Sequence, residues 1–148
     1  MISERQFLNL LQRAERDAPA AAVVALTETV ASVAVEAKAM IGHEMPTWAP
    51  LAESTVEEKE RLGYTGHVSD TDPLLRTGQL RESIKFEVEA FTLTGVVGSE
   101  DPVAGYQEHG TASIPPRPFI VPAMMHSQPQ AELFFGRSLI KLLTPKRP

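Results

Sequence analysis

Apolar and polar positions follow two rhythms along this chain, and the change from one to the other marks out its elements. Val23, Leu26, Val30, Val33, Ala37 and Met40 recur at spacings of three and four. That is one stripe of a helix over 19–41, with Thr29, Ser32 and Glu36 off the stripe. Gly42 is placed to end it as a C′ residue. Many of its residues are alanines, which permit close approach of the sheet, a helix of the same subunit or a neighbouring subunit. Upstream, Phe7, Leu10, Leu11 and Ala14 share a face of a shorter helix over 3–16. Ser3 is its N-cap, with Gln6 as capping-box partner. Pro19 predicts a break or a fresh start between the two.

A loop carrying Trp48-Ala49-Pro50-Leu51 follows. A short helix is expected over 54–62, opened by Ser54 with Glu57 and closed by Gly63. Its acidic run Glu57-Glu58-Lys59-Glu60 reads as a solvated face. Residues 63–73 are rich in turn formers and predict a mobile segment. Thr77 is the expected N-cap of a two-turn helix, with Leu80 and Ile84 on its buried side. The period then changes to two. Ile84, Phe86 and Val88 point one way, and Lys85, Glu87 and Glu89 the other, as in a half-buried strand. A second strand over 92–98 can pair with it as a hairpin. Asp101-Pro102 opens a short helix ended by Gly110. The prolines at 115, 116 and 118 enforce an extended stretch. A last helix runs to about Leu143, with a break near 127–129, and the basic tail 144–148 is expected to fray.

These elements predict one α+β domain over 1–148. A small antiparallel sheet is packed by a long N-terminal helix, short helices and a C-terminal helix over 119–143. Its N-terminal part, 1–42, is helical.

Composition removes several kinds of chemistry. The 148 residues contain no cysteine, so disulfides, thiolate catalysis and cysteine zinc sites are excluded. A net charge of −5 argues against a dedicated nucleic-acid binder. The N-terminus lacks the pattern of a signal peptide, and charged and hydroxyl residues interrupt the apolar stretch 18–39, so no membrane span is expected. His43, His67, His109 and His126 are not spaced to share a helix face as metal ligands. No phosphate-binding glycine loop or serine elbow is present. Glu108-His109 is the one pair that a hydrolase could use, although adjacent residues rarely converge on one substrate atom. No cofactor, metal or catalytic residue is expected.

Four motifs remain, in order: Trp48-Ala49-Pro50-Leu51 with Thr55 and Lys59; Leu75-x-Thr77-Gly78-x-Leu80-Arg81-x-Ser83-Ile84; Val97-Gly98 with Tyr106-x-Glu108-His109-Gly110-Thr111; and Pro116-Arg117-Pro118-Phe119-Ile120-x-Pro122-Ala123. Across 45–125 their order and spacing resemble the tail-completion and virion-morphogenesis proteins of long-tailed phages. The chain departs from that pattern at His109, where the family more often has an apolar or aromatic residue. The resemblance implies a non-enzymatic virion subunit, assembled in the bacterial cytoplasm, that forms a ring, commonly sixfold, at the head-proximal end of the tail. It does not separate tail completion from a tail terminator or a head-closure adaptor. Its implied partners are copies of itself, neck adaptor and tail tube or terminator proteins, and DNA passing through the lumen without specific binding. A ring needs two different patches on each subunit. The candidates are Arg117, Pro118 and Phe119 as a stiff anchor, His109, and Tyr64 and His67 in a segment that orders on assembly. Trp48, Leu51, Thr77, Gly78, Leu80, Arg81 and Gly110 are expected to mark the fold.

Overall fold

A computed structural model of the chain describes residues 3–144. One helix, α1 (Glu4–Met40), organises it. The expected break at Pro19 does not occur, because α1 runs through it. Proline removes one helical hydrogen bond. Here Glu15, whose carbonyl loses that donor, and Pro19 are both exposed, so water can replace the missing partner. The capping box at the start is formed: Gln6 N donates to Ser3 Oγ at 3.2 Å, and Ser3 N to Gln6 Oε1 at 2.8 Å. Ile41 is the C-cap, and Gly42 follows at φ +97° as the C′ residue.

After α1 come α2 (Glu53–Arg61), α3 (Gln79–Ser83), β1 (Ile84–Glu89), β2 (Thr94–Ser99), α4 (Pro102–His109), α5 (Ile120–His126) and α6 (Gln128–Leu143). Two caps differ from expectation. The N-cap of α2 is Ala52, so Ser54 lies inside the first turn and caps nothing. The N-cap of α3 is Gly78, in the left-handed region at φ +87°, and α3 is a single turn. Thr77 sits one residue earlier, where its hydroxyl lies 3.4 Å from Gln79 N. The break between α5 and α6 falls at Ser127, as the sequence indicates. Of the tail 144–148 that is expected to fray, all but Thr144 lies outside the described residues.

β1 and β2 form a two-stranded antiparallel hairpin, with Ile84 opposite Ser99, Phe86 opposite Val97 and Val88 opposite Gly95. Paired residues share a face, and this row faces α1. Gly95 has a steric reason: a Cβ there would fall 2.5 Å from Val30 Cγ1 and 3.1 Å from Leu26 Cδ1. The helix therefore lies almost on the strand backbone.

The core joins Val33, Ala34, Ala37, Met40 and Ile41 from the end of α1 to Trp48, Leu75, Leu80, Ile84, Ala104, Phe119 and Ala123. It lies at one end of α1. Along the other half α1 packs against α6, which runs back antiparallel: Arg137 pairs with Glu28 at 3.6 Å, and Arg13 donates to the Leu142 and Thr144 carbonyls at 3.3 and 2.7 Å. An 18-residue window of α1 has mean hydropathy 1.7 and would pass for a membrane span by length and composition. The same helix carries the sheet, α5 and α6 along its length. Its Thr27 and Thr29 hydroxyls donate to backbone carbonyls one turn back at 2.8 Å.

Candidate functional site: a stitched loop joint and its groove

Parts of the sequence motifs meet where the loop 41–52, the segment 63–78 and the extended stretch 111–119 cross, whereas Val97-Gly98 lies on β2. Trp48 is buried, and its Nε1 donates to the Pro118 carbonyl at 3.0 Å. Arg117 is 5% exposed. Its Nε donates to the Ala49 carbonyl at 3.2 Å, and one terminal nitrogen donates to the Ala49 and Pro50 carbonyls, each at 3.1 Å. Arg117 N also donates to the Gln107 carbonyl at 2.6 Å. Burial pushes the guanidinium pKa down from its ordinary value. Phe119 is wholly buried in the core.

This geometry corrects the expectation for the Arg117-Pro118-Phe119 anchor. Arg117 spends its donors on backbone carbonyls of its own chain, Pro118 is half-buried with its carbonyl engaged, and Phe119 has no surface to offer. The segment is stiff because it closes the subunit upon itself.

Glu108 is the second stitch. One carboxylate oxygen accepts from Phe119 N at 2.8 Å and Ile120 N at 3.0 Å, and the other accepts from Val121 N at 3.0 Å. These are orphan donors at the start of α5, so Glu108 caps that helix from a distance. Its neighbour His109 is exposed at the end of α4. Gly110 then takes φ +74° and ψ 175°, a region that only glycine enters at ease. A Cβ there would lie 2.9 Å from the Ile114 carbonyl. Among the described residues, no group of three or more His, Asp or Glu side chains gathers as a metal site.

The third stitch is a buried aspartate and a buried lysine, each held by backbone groups, that the sequence did not suggest. Asp72 is wholly buried, and its carboxylate accepts from His67 N at 2.7 Å, Val68 N at 2.8 Å and Ser69 N at 2.6 Å. Lys59, 3% exposed, donates to the Thr71 carbonyl at 2.6 Å and also to the Asp72 carbonyl. Burial alone raises the Asp72 pKa, but the three backbone donors and nearby Lys59 outweigh it and hold the carboxyl below its ordinary value. For Lys59, burial dominates and lowers the pKa. Residues 67–72 of the segment are therefore organised around a carboxylate, and Lys59 is no part of a solvated face. Tyr64 is half-buried, with the Arg76 guanidinium 5.5 Å from its ring centroid. His67 is exposed, and its Nε2 lies 2.9 Å from the Gly63 carbonyl. Arg81 donates to the Ile41 carbonyl, holding the end of α1 against α3.

Two adjoining cavities of about 430 and 470 Å3 flank the joint and share Pro50, Leu51 and Arg117. The first is walled mainly by apolar residues, among them Leu74, Leu75, Val103 and Ile114. Buried Gln107 Oε1 beside it has no partner among the described residues. Of the expected fold markers, Trp48 and Leu80 are buried, Arg81 bonds the Ile41 carbonyl, Leu51 lines the groove, Gly78 and Gly110 take positive φ, and Thr77 is exposed.

A further set of exposed apolar side chains lies elsewhere. Helix α6 buries no residue completely. Ala131, Phe134, Ser138 and Leu142, all half-buried, line one side of α6, whereas Leu133 (69% exposed) and Ile140 (68%) lie opposite, with Leu143 beside them and Leu139 on the flank. Phe7, Leu8 and Leu11 of α1 are exposed at the same end of the molecule. In comparisons with family models, curated proteins and solved structures, nothing matches the chain.

Proposed function

We propose that the chain is a virion structural subunit of a long-tailed phage, completing the tail or joining head to tail by assembling into a ring at the neck. The observation that carries this reading is α6. A helix apolar on both sides is stable in water only when both sides are covered, and this chain covers one. Exposed apolar patches of this kind mark surfaces that meet other proteins. The order of the four motifs between Trp48 and Ala123 supplies the kind of assembly, and the sixfold ring comes from that resemblance alone. The stitched joint supports the reading from the other side, because Glu108 is committed to capping α5 and is a poor general base for a hydrolase.

The partners in this reading are other copies of the chain, the neck adaptor and the tail tube or terminator protein. Glu57, Glu58 and Glu60 are exposed on α2. Such an acidic face turned toward a lumen would repel phosphate and let DNA slide. Imaging of particles made without the chain tests the proposal. Full heads beside unjoined tails are expected, and normal infectious particles would refute it. Tails of uncontrolled length would move the role to a terminator, and heads that leak DNA would move it to head closure.

A further inference from the structure

The hairpin is a sheet of only two strands, and such a sheet has two open edges. Among the described residues, no backbone hydrogen bond joins residues 85–98 to any other part of the chain. The outward N–H and C=O groups of β1 are thus free to pair. The side chains on β1 are also incompletely served. Phe86 belongs to the row that faces α1, yet it is 41% exposed, whereas Ile84 in the same row is 1% exposed. On the other face Lys85, Glu87 and Glu89 are all exposed, and the one ion pair there, Lys85 with Glu100 at 3.8 Å, joins two solvated side chains.

We propose that β1 pairs antiparallel with β1 of a second copy of this chain, with Phe86 opposite Phe86 across a twofold axis. The charge pattern selects this occupant and this register. Pairing at Phe86 sets Lys85 opposite Glu87 of the second copy and Glu87 opposite its Lys85, two attractive cross-strand pairs with no like charges opposed. Moving the axis to Glu87 would oppose two glutamates, and moving it to Lys85 would oppose two lysines. A shift of one residue between the strands would turn each copy's α1-facing row to the other side. In the chosen register the two exposed Phe86 rings cover one another, Ile84 lies opposite Val88, and the sheet grows to four strands in the order β2-β1-β1-β2. β2 is a poorer candidate for self-pairing, because it carries no charge to fix a register. The pairing is isologous, unlike the contacts around a ring, so it does not rest on the ring reading. It would hold two free subunits together or join two rings face to face.

Sedimentation of the purified full chain across concentration tests the proposal. The wild type is expected to form species with an even number of subunits. Lys85→Glu opposes two pairs of carboxylates and should weaken the pairing by roughly tenfold or more. Lys85→Glu combined with Glu87→Lys exchanges the charges within each pair and should restore it. Circular dichroism checks that each variant is folded. Because the chain has no cysteine, Phe86→Cys provides a second measurement independent of affinity. It should cross-link to its own copy on mild oxidation, and Val96→Cys on the neighbouring strand should not. A monomeric wild type, pairing indifferent to Lys85→Glu, a double exchange that fails to recover it, or equal cross-linking at both positions would each overturn the proposal.

Discussion

The two ends of α1 make opposite use of polar and apolar residues. At the C-terminal end, Arg117, Glu108, Lys59 and Trp48 reach backbone groups of other segments, Asp72 gathers backbone donors of its own loop, and the core closes around Phe119. Toward the N-terminal end, α1 and α6 meet as a simple helical pair. None of the described residues of α1 before Ala25 is buried, and none of α6 is. One end is knitted together by side-chain to backbone bonds within the chain. The other keeps its apolar side chains in water. Arg117, Glu108 and Asp72 each place two or more hydrogen bonds on backbone groups of their own chain, so the joint behaves as an internal clamp. The helical limb is the surface on which the proposed assembly rests.

This contrast predicts a graded series of effects, the largest at the joint. Phe119→Ala should cost about 3–5 kcal/mol by leaving a cavity in the core. Arg117→Met should cost about 2–3 kcal/mol, because the Ala49 and Pro50 carbonyls lose a charged donor. Urea unfolding measures both, and values near zero would break the picture of a clamp.

Asp72 should carry a pH signature. Its folded pKa is depressed, so its contribution is present above its unfolded pKa of about 3.9 and is lost as pH falls through the folded value. Asp72→Asn should therefore lower the melting temperature at pH 7 and flatten its decline below about pH 4. An unchanged acid slope would mean that the loop 67–72 does not depend on the carboxylate.

A smaller effect separates two neighbours. Glu108→Gln should cost about 1–2 kcal/mol, since an amide nitrogen must then face one of three backbone donors. His109→Ala, at an exposed position, should stay within about 0.5 kcal/mol. Thermal melts of the two variants check this. If His109→Ala proved the more disruptive, the division of roles would be reversed.

Much of the architecture was legible because local signals agreed with the fold. Ser3 with Gln6, Asp101 before Pro102, the alternation after Ile84 and the interruption near Pro129 each report a local preference. What failed was non-local. Pro19 reads as a break from its own chemistry, but the exposure of that turn and the packing of α6 decide otherwise. Thr77 and Ser54 are good caps by type, yet Gly78 and Ala52 occupy the cap positions. Lys59 stands in an acidic run and reads as solvated, because nothing nearby announces that Thr71 and Asp72 fold over it. Arg117 and Phe119 read as an anchor for a partner, and only the course of the 49–50 loop and of the core shows that both turn inward. Asp72 had one available signal: an aspartate before proline at the end of a turn-rich segment can gather backbone donors.

The smallest effect on stability should accompany the largest effect on assembly. Leu133→Glu with Ile140→Glu places two charges on the outer side of α6, where they touch no core residue, and should change stability by no more than about 0.5 kcal/mol per site. Head–tail joining by this double variant, measured beside its thermal melt, is the most direct test of the limb as the assembly surface. The account predicts a melt close to that of the wild type and the loss of joined particles. Joined particles at the wild-type level, from a variant that is folded, would contradict it.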